Sequence, residues 1–145
     1  MTVSFAAGYV RDCMALPVPA IASKTGIATA LRLLREHRAE ALPVLDGACF
    51  VGLVDEAALL RFTPSEATTL DVYELREVLE RLTVARATVR TEAVAPGAPL
   101  SAVVAAMCRA RARVLPVVEK GRLVGLLPWT RLLAAASGEP VQLCA

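Results

Sequence analysis

This 145-residue chain contains four cysteines and one histidine, the side chains that are most typical of zinc sites and of general acid–base catalysis. No two cysteines form a C-x-x-C pair, so the ligand spacing of a zinc site is absent. His37 has no paired nucleophile, which gives general acid–base catalysis little support. The cysteines, Cys13, Cys49, Cys108 and Cys144, are therefore expected to be buried or incidental reduced thiols. These residues therefore support neither a zinc site nor an enzyme.

The chain repeats a pattern of short apolar segments and glycines. Leu42-Pro43-Val44 recurs as Leu115-Pro116-Val117, and Gly52 recurs as Gly125, both with an offset of 73 residues. The offset holds without a gap over residues 21–60 of the first copy. A period of this length that occurs only twice favours a pseudo-symmetric pair of units over a solenoid array.

Each copy must position these segments with the same order of elements: helix, strand, strand, helix. The predicted elements are a helix around Ala30–Arg38, strands Ala41–Leu45 and Phe50–Val54, a helix Glu56–Phe62, and in the second copy a helix Leu100–Arg109, strands Val114–Val118 and Leu123–Leu127, and a helix Thr130–Ala136. Thr25 or Thr29 is expected to cap the first helix. Extended pieces at residues 19–23 and 93–96 are expected to add a third strand to each sheet.

The segment between the copies has a pattern of its own. Residues 63–66 indicate a helix start. Apolar residues then recur at helical spacing over residues 72–82, which predicts a helix of about three turns. Its apolar face packs either within the protomer or against a second subunit.

Length and composition limit the class of protein. Each half has about 55 residues, where a single core is marginal, so the halves are expected to bury surface against each other. Hydrophobic residues make up 56%, which leaves apolar surface for homodimerisation. The net charge of +2 is spread without a basic run, which argues against a nucleic-acid surface. We find no membrane span and no signal peptide, so a cytoplasmic protein is expected.

The repeated residues resemble a known family. A helix followed by L-P-V, a short turn and V-G-L-x-x-x-x-x-L-L resembles the CBS (cystathionine-beta-synthase) motif, and two in tandem resemble a Bateman module. The opening at residues 10–14 is similar to the start of such a motif. The segment at residues 64–75 resembles the inter-motif segment of acetoin-utilisation-type CBS proteins. Many of those carry a C-terminal ACT domain, for which this chain has no room.

The resemblance implies an α/β (α+β) fold with two CBS motifs, each a small three-stranded sheet with two helices, related by a pseudo-two-fold axis. The implied segments are motif 1 at residues 1–62, a linker with a helix at 63–82, motif 2 at 83–138 and a tail at 139–145. As a class, CBS pairs are regulatory and not catalytic. They bind AMP, ADP, ATP or S-adenosylmethionine in the cleft between motifs, pass the occupancy to a partner protein and often form homodimers.

Adenine requires an apolar slot and backbone hydrogen bonds, which the two L-P-V segments would provide. A proline there lacks a donor and suits a sheet edge. The glycines would let the backbone approach a ligand closely. A carboxylate at a helix start would take the ribose hydroxyls, and helix N-termini or arginines would take phosphates.

The family signature for nucleotide binding, G-h-h-[ST]-x-x-D with h apolar, is altered in both copies. Asp55 and Pro128 stand at the Ser/Thr positions, and Ala58 and Arg131 stand at the positions of the ribose carboxylates. Asp55 or Glu56 would compensate by reaching a ribose from a shifted position, and Arg131 by preferring an anion or a polyphosphate. The candidate ligand-binding residues are Leu42, Pro43, Val44, Gly52, Asp55, Ala58, Leu115, Pro116, Val117, Gly125, Pro128 and Arg131.

Two functions remain open. The first is a regulatory module that senses an adenosine nucleotide. The second is a degenerate CBS pair that has lost the ligand and serves as a dimerisation or partner-docking module. Trp129 either stacks on a base or packs at a motif or dimer interface. The regulated partner is not indicated by the sequence.

Overall fold

The computed structural model describes residues 8–15, 19–62 and 71–137. By their contacts these residues form two compact units. Unit 1 contains residues 8–15 together with 91–137, and unit 2 contains the described residues between 19 and 90. Helices and small sheets occur in both units, which confirms the α+β class. The predicted helix start at residues 63–66, the tail at 139–145 and Cys144 lie outside the described residues.

The elements follow the predicted order in both copies. The helices are α1 (Val10–Cys13), α2 (Ile27–Glu36), α3 (Glu56–Arg61), α4 (Val72–Arg81), α5 (Leu100–Ala110) and α6 (Trp129–Ser137), with a 3-10 turn at Val84–Arg86. The strands are β1 (Ile21–Ala22), β2 (Leu42–Asp46), β3 (Cys49–Val54), β4 (Val114–Glu119) and β5 (Arg122–Pro128). Among the described residues, no helix is long and apolar enough to cross a membrane.

Unit 2 is built on a three-stranded sheet in the order β1-β2-β3. β1 runs parallel to β2, and β3 runs antiparallel to it. Helix α2 packs against α3 and α4. The segment after α4 also packs in this unit. Ile27 donates its N–H to the carbonyl of Leu82, and Val89 exchanges two backbone hydrogen bonds with Leu53.

Unit 1 is built on the antiparallel pair β4-β5. The predicted third strand is reduced here to one residue, Val94, which bridges Val117 in parallel. Residues 8–15 complete this unit and not the sheet of their own repeat, since Val10 donates its N–H to the carbonyl of Ala98. Ala15 exchanges two backbone hydrogen bonds with Leu126 on β5. The division by contact therefore differs from the division of the sequence into repeats.

The two hairpins share an irregularity. In unit 2 the register shifts by one residue after Val44, which lies opposite Gly52. In unit 1 the same shift follows Val117, which lies opposite Gly125. One extra residue on the second strand of each hairpin forms a β-bulge beside the glycine. The repeat thus extends from the sequence to the details of the backbone.

Both hairpins have turns with two central residues, but the residues and their backbone conformations differ. In unit 1 both central residues, Lys120 and Gly121, have positive φ (50° and 77°), as a type I′ turn requires. In unit 2 only the first central residue, Gly47, does (61°). A positive φ favours glycine, so Lys120 is the strained position of the two turns.

Each unit has an apolar core. The core of unit 1 comprises Val10, Cys13, Leu100, Val103, Ala106, Met107, Leu115, Val117, Leu127 and Leu132. Cys13 is buried, whereas Cys49 and Cys108 are exposed, and these three are unbonded thiols. Burial raises the pKa of the Cys13 thiol, Asp12 raises it further, and Arg131 opposes both. Cys13 therefore stays protonated and serves as a small apolar core residue.

Candidate ligand-binding sites

Both L-P-V segments are buried, so their side chains fill the cores. Contacts to a ligand from these residues would come from backbone groups. Because β2 is the middle strand of its sheet, the expectation that Pro43 lies at a sheet edge is wrong. Proline is tolerated there because pairing with β1 begins one residue later, where Ile21 lies opposite Val44.

The two glycines lie where another segment of the chain approaches the sheet. A Cβ on Gly52 would lie 2.5 Å from the carbonyl oxygen of Val89 and 2.8 Å from Cγ2 of Thr88. A Cβ on Gly125 would lie 2.9 Å from the carbonyl oxygen of Ala15. The absence of a side chain at these positions is thus explained by packing within the protein.

Asp55 is the N-cap of α3. Its Oδ1 accepts a hydrogen bond of 2.7 Å from the backbone N–H of Ala58. Ala58 is half-buried in the first turn, and Glu56 lies 3.5 Å from Arg35 in an exposed ion pair. One oxygen of the Asp55 carboxylate is therefore already engaged in holding the start of the helix.

Removal of this cap is expected to destabilise unit 2. We expect Asp55→Ala to lower the free energy of unfolding by about 0.5–2 kcal/mol, because the N–H of Ala58 loses its acceptor. Asp55→Asn keeps a capping oxygen and should retain most of the stability. Glu56→Ala removes only an exposed ion pair and should cost less than about 1 kcal/mol. Urea unfolding followed by circular dichroism measures all three, and equal losses for Asp55→Ala and Asp55→Asn would contradict the capping role.

The corresponding positions in unit 1 are held differently. Pro128 ends β5 opposite Val114. The half-buried Arg131 donates from Nη1 to the carbonyl oxygens of Cys13 at 3.3 Å and Met14 at 3.2 Å. A guanidinium at the end of a short helix satisfies carbonyl groups that have no partner within the helix. Arg131 therefore links the C-terminal end of α1 to helix α6 within unit 1.

Other residues considered from the sequence are also placed. Trp129 is 44% exposed at the start of α6, and its backbone N–H donates to the backbone carbonyl of Arg113 at 2.7 Å. His37 is the C-cap of α2. Across the described ranges, no group of three or more His, Cys, Asp or Glu residues is arranged to hold a metal ion.

The duplicated strand–turn–strand–helix unit agrees with a family match in both halves. The family model described as CBS domain matches residues 10–65 and 87–138. The chain belongs to the CBS domain family. The two matches make it a tandem CBS pair, and each contains one L-P-V segment and one of the two glycines. No curated protein matches the sequence.

Solved structures of CBS proteins share this fold. The chain is similar to an acetoin utilization protein (AcuB) from Vibrio cholerae, with 21% identity, 90% of this chain and 91% of the other covered, and a TM-score of 0.73. It is similar to CBSX2 in complex with AMP, with 26% identity, 90% and 96% covered, and a TM-score of 0.71. It is also similar to the CBS domain of a bacterial CNNM/CorC family Mg²⁺ transporter in complex with ATP. The identity is 24%, 91% of this chain and 89% of the other are covered, and the TM-score is 0.73.

Two further positions were not selected from the sequence. The hydroxyl oxygen of Thr91 is buried and has no hydrogen-bond partner among the described residues. Arg113 lies immediately before β4, beside the start of α6. Comparison of the two repeats would have found Arg113, which aligns with Glu40, whereas Thr91 lies outside the stretch over which the repeats align.

Proposed function

We propose that this CBS pair is a regulatory module that binds an adenosine nucleotide or S-adenosylmethionine and passes its occupancy to a partner protein. AMP, ADP and ATP are the nucleotides to consider. The observation that carries the proposal is the duplicated unit itself, with a buried L-P-V strand, a bulge beside a glycine and a following helix in both copies. Similar CBS proteins hold AMP or ATP, which supports the same ligand class here.

Thermal unfolding of the purified chain tests this function. AMP, ADP, ATP and S-adenosylmethionine are each added at millimolar concentration, with guanosine as the control nucleoside. A ligand present at a hundred times its dissociation constant stabilises the folded state by about 2.7 kcal/mol, which should raise the midpoint by roughly 5–10 °C. No rise with any of the four ligands would refute a nucleotide sensor.

A single substitution should strengthen ribose binding. Ala58→Asp restores the carboxylate of the family signature in the first turn of α3, where the helix dipole favours a negative charge. A charge-assisted hydrogen bond contributes about 1.5–3 kcal/mol, so the dissociation constant of AMP is expected to fall roughly ten- to a hundredfold. Isothermal titration calorimetry measures the change.

The matched control is Ala57→Asp, which places the same charge on the neighbouring exposed residue of the same turn. It should leave the dissociation constant within about threefold. If both variants bind AMP equally well, the effect is one of net charge and the ribose position is wrong.

A degenerate CBS pair is the second candidate, and specific contacts favour it. Asp55 is engaged as a helix cap, Arg131 binds the end of α1, and the space above each glycine is filled by the chain. In this case the protein associates with a second copy or a partner without a nucleotide. Leu60 of unit 2 and Leu133 of unit 1, at equivalent positions of α3 and α6, are 48% and 55% exposed, and each is an apolar side chain available for contact with a second copy.

Light scattering of the nucleotide-free chain tests the second candidate. A dimer that dissociates in the double variant Leu60→Glu, Leu133→Glu, together with no thermal shift by any nucleotide, is the expected result for a docking module. A monomer at all concentrations would argue against self-association.

A further inference from the structure

The helical surfaces of the two units differ in charge at aligned positions. In unit 2, Nη2 of Arg35 on α2 lies 3.5 Å from Oε1 of Glu56 on α3, and both side chains are exposed. In unit 1, at the offset of 73 residues, Cys108 on α5 and Trp129 on α6 stand at these two positions, and both are exposed. Helix α5 packs against α6, as α2 packs against α3. The ion pair of one unit is therefore replaced by two uncharged side chains in the other.

A leucine extends this uncharged surface of unit 1 by one helical turn. Trp129 and Leu133 are four residues apart, so their side chains lie on the same face of α6. The charged residue of this helix, Arg131, is half-buried and donates to two carbonyls at the end of α1. Within residues 129–136, no exposed side chain of α6 is charged. Cys108, Trp129 and Leu133 thus define an apolar surface that is open to a partner.

The charges of the two units decide which partner fits this surface. If unit 2 of a second copy packed against it, Glu56 and Arg35 would lose water beside a tryptophan and a leucine, which costs free energy. The same surface of unit 1 in a second copy carries no charge and meets no such cost. A two-fold axis brings identical surfaces of two copies together, and tryptophan is enriched at the centre of protein interfaces.

We propose that the apolar surface of unit 1, defined by Cys108, Trp129 and Leu133, binds the same surface of a second copy, so that unit 1 contacts unit 1 and not unit 2. This goes beyond the homodimer considered above, because it states which units meet. The contact does not depend on a nucleotide, and every measurement below uses the full chain without one. Each substitution in such a contact occurs twice, once in each copy.

Trp129→Glu tests the surface by introducing the residue found at the aligned position 56. We expect the dissociation constant of the dimer, measured by analytical ultracentrifugation, to rise at least tenfold, because two carboxylates would be brought together in an apolar contact. Thr130→Glu is the matched control. It places the same charge on the neighbouring exposed residue, about 100° further round the helix, and should change the constant less than threefold. Equal losses would overturn the proposal, since dimerisation would then respond only to net charge.

The fluorescence of the protein reports on the same contact, because Trp129 is its only tryptophan. We expect the emission maximum of the dimer to move to longer wavelength on dilution, as the indole becomes exposed to water. Leu133→Glu should show the long-wavelength emission at all concentrations, with an unchanged circular dichroism spectrum that demonstrates folding. An emission maximum that stays constant while the dimer dissociates would place Trp129 outside the contact and overturn the proposal.

Cross-linking determines which units meet. Replacement of Cys49 and Cys144 by serine keeps Cys108 as an exposed thiol, while Cys13 is buried. A second, mass-tagged chain carries Arg35→Cys with Cys108 also replaced by serine. The two chains are mixed, treated with a bismaleimide and digested for mass spectrometry. Links between two copies of Cys108 are expected, and links between Cys108 and the thiol at position 35 would overturn the proposal.

The outcomes separate this contact from self-association in general. A dimer that survives both Trp129→Glu and Leu133→Glu would overturn the proposed contact and leave the homodimer intact. A chain that is monomeric at all concentrations would overturn both. A dimer that is lost in these two variants and kept in Thr130→Glu supports the contact of unit 1 with unit 1.

Discussion

Leu115→Ala is expected to lower the free energy of unfolding by about 2–5 kcal/mol. The Leu115 side chain is completely buried on β4 in the core of unit 1, among residues that include Val103 and Leu127. Its truncation loses the transfer free energy of the leucine and leaves a cavity that the surrounding strands and helices fill only in part. At about 2–4 °C for each kcal/mol, the thermal midpoint should fall by several degrees or more.

Leu133→Ala is the matched control for this prediction. It is the same chemical change on a side chain that is 55% exposed on α6. The expected cost is below about 1 kcal/mol, because little apolar surface is buried there in the monomer. Chemical denaturation of both variants gives the comparison, and equal losses would place Leu115 outside the core.

Gly52→Ala should have the second largest effect, a loss of about 1–3 kcal/mol or more. The new Cβ would meet the carbonyl oxygen of Val89 at 2.5 Å, and this oxygen accepts a hydrogen bond from the backbone N–H of Leu53 while the N–H of Val89 donates to the carbonyl of Leu53. Either the strand pair opens or the segment at residues 88–89 shifts. Gly125→Ala should cost less, since the approach at Ala15 is 2.9 Å and one close neighbour is the flexible side chain of Met14.

Gly97→Ala provides the reference for the glycine series. Nothing lies within 4 Å of a Cβ at this position, and its φ is not in the left-handed region. Its stability should change little or rise by about 0.4–1 kcal/mol, since alanine restricts the unfolded chain. Urea midpoints rank the three variants, and a Gly52→Ala protein as stable as Gly97→Ala would contradict the close approach of residues 88–89.

The repeated elements could be read from the sequence because their signals are local. The strands and helices of the two copies lie within a few residues of their predicted bounds, since alternating apolar runs and turn residues determine them. The predicted cap of α2 was wrong. Gly26 is the N-cap, and Thr25 instead donates its N–H to Ala22 and accepts a hydrogen bond from Val84.

The environments of the candidate site residues depend on contacts that are distant in sequence. Arg131 meets Cys13 across 118 residues, and Gly52 meets the backbone of Val89. No local pattern announces either contact. The role of Asp55 is different, because an aspartate directly before a helical run is an ordinary capping signal that the sequence contained. The family resemblance instead led to the prediction that Asp55 binds a ribose.

Unit 2 is formed by one continuous stretch of the chain and unit 1 by two separate stretches, and this has a consequence for biosynthesis. Unit 2 uses a continuous stretch of chain, so all its described elements have left the ribosome once residue 90 is free. Residues 8–15 leave the ribosome before unit 2, but their partners at Ala98, Leu126 and Arg131 are made after it. The growing chain therefore completes unit 2 before unit 1, and the apolar residues of α1 remain without partners until the segment up to residue 131 has been made.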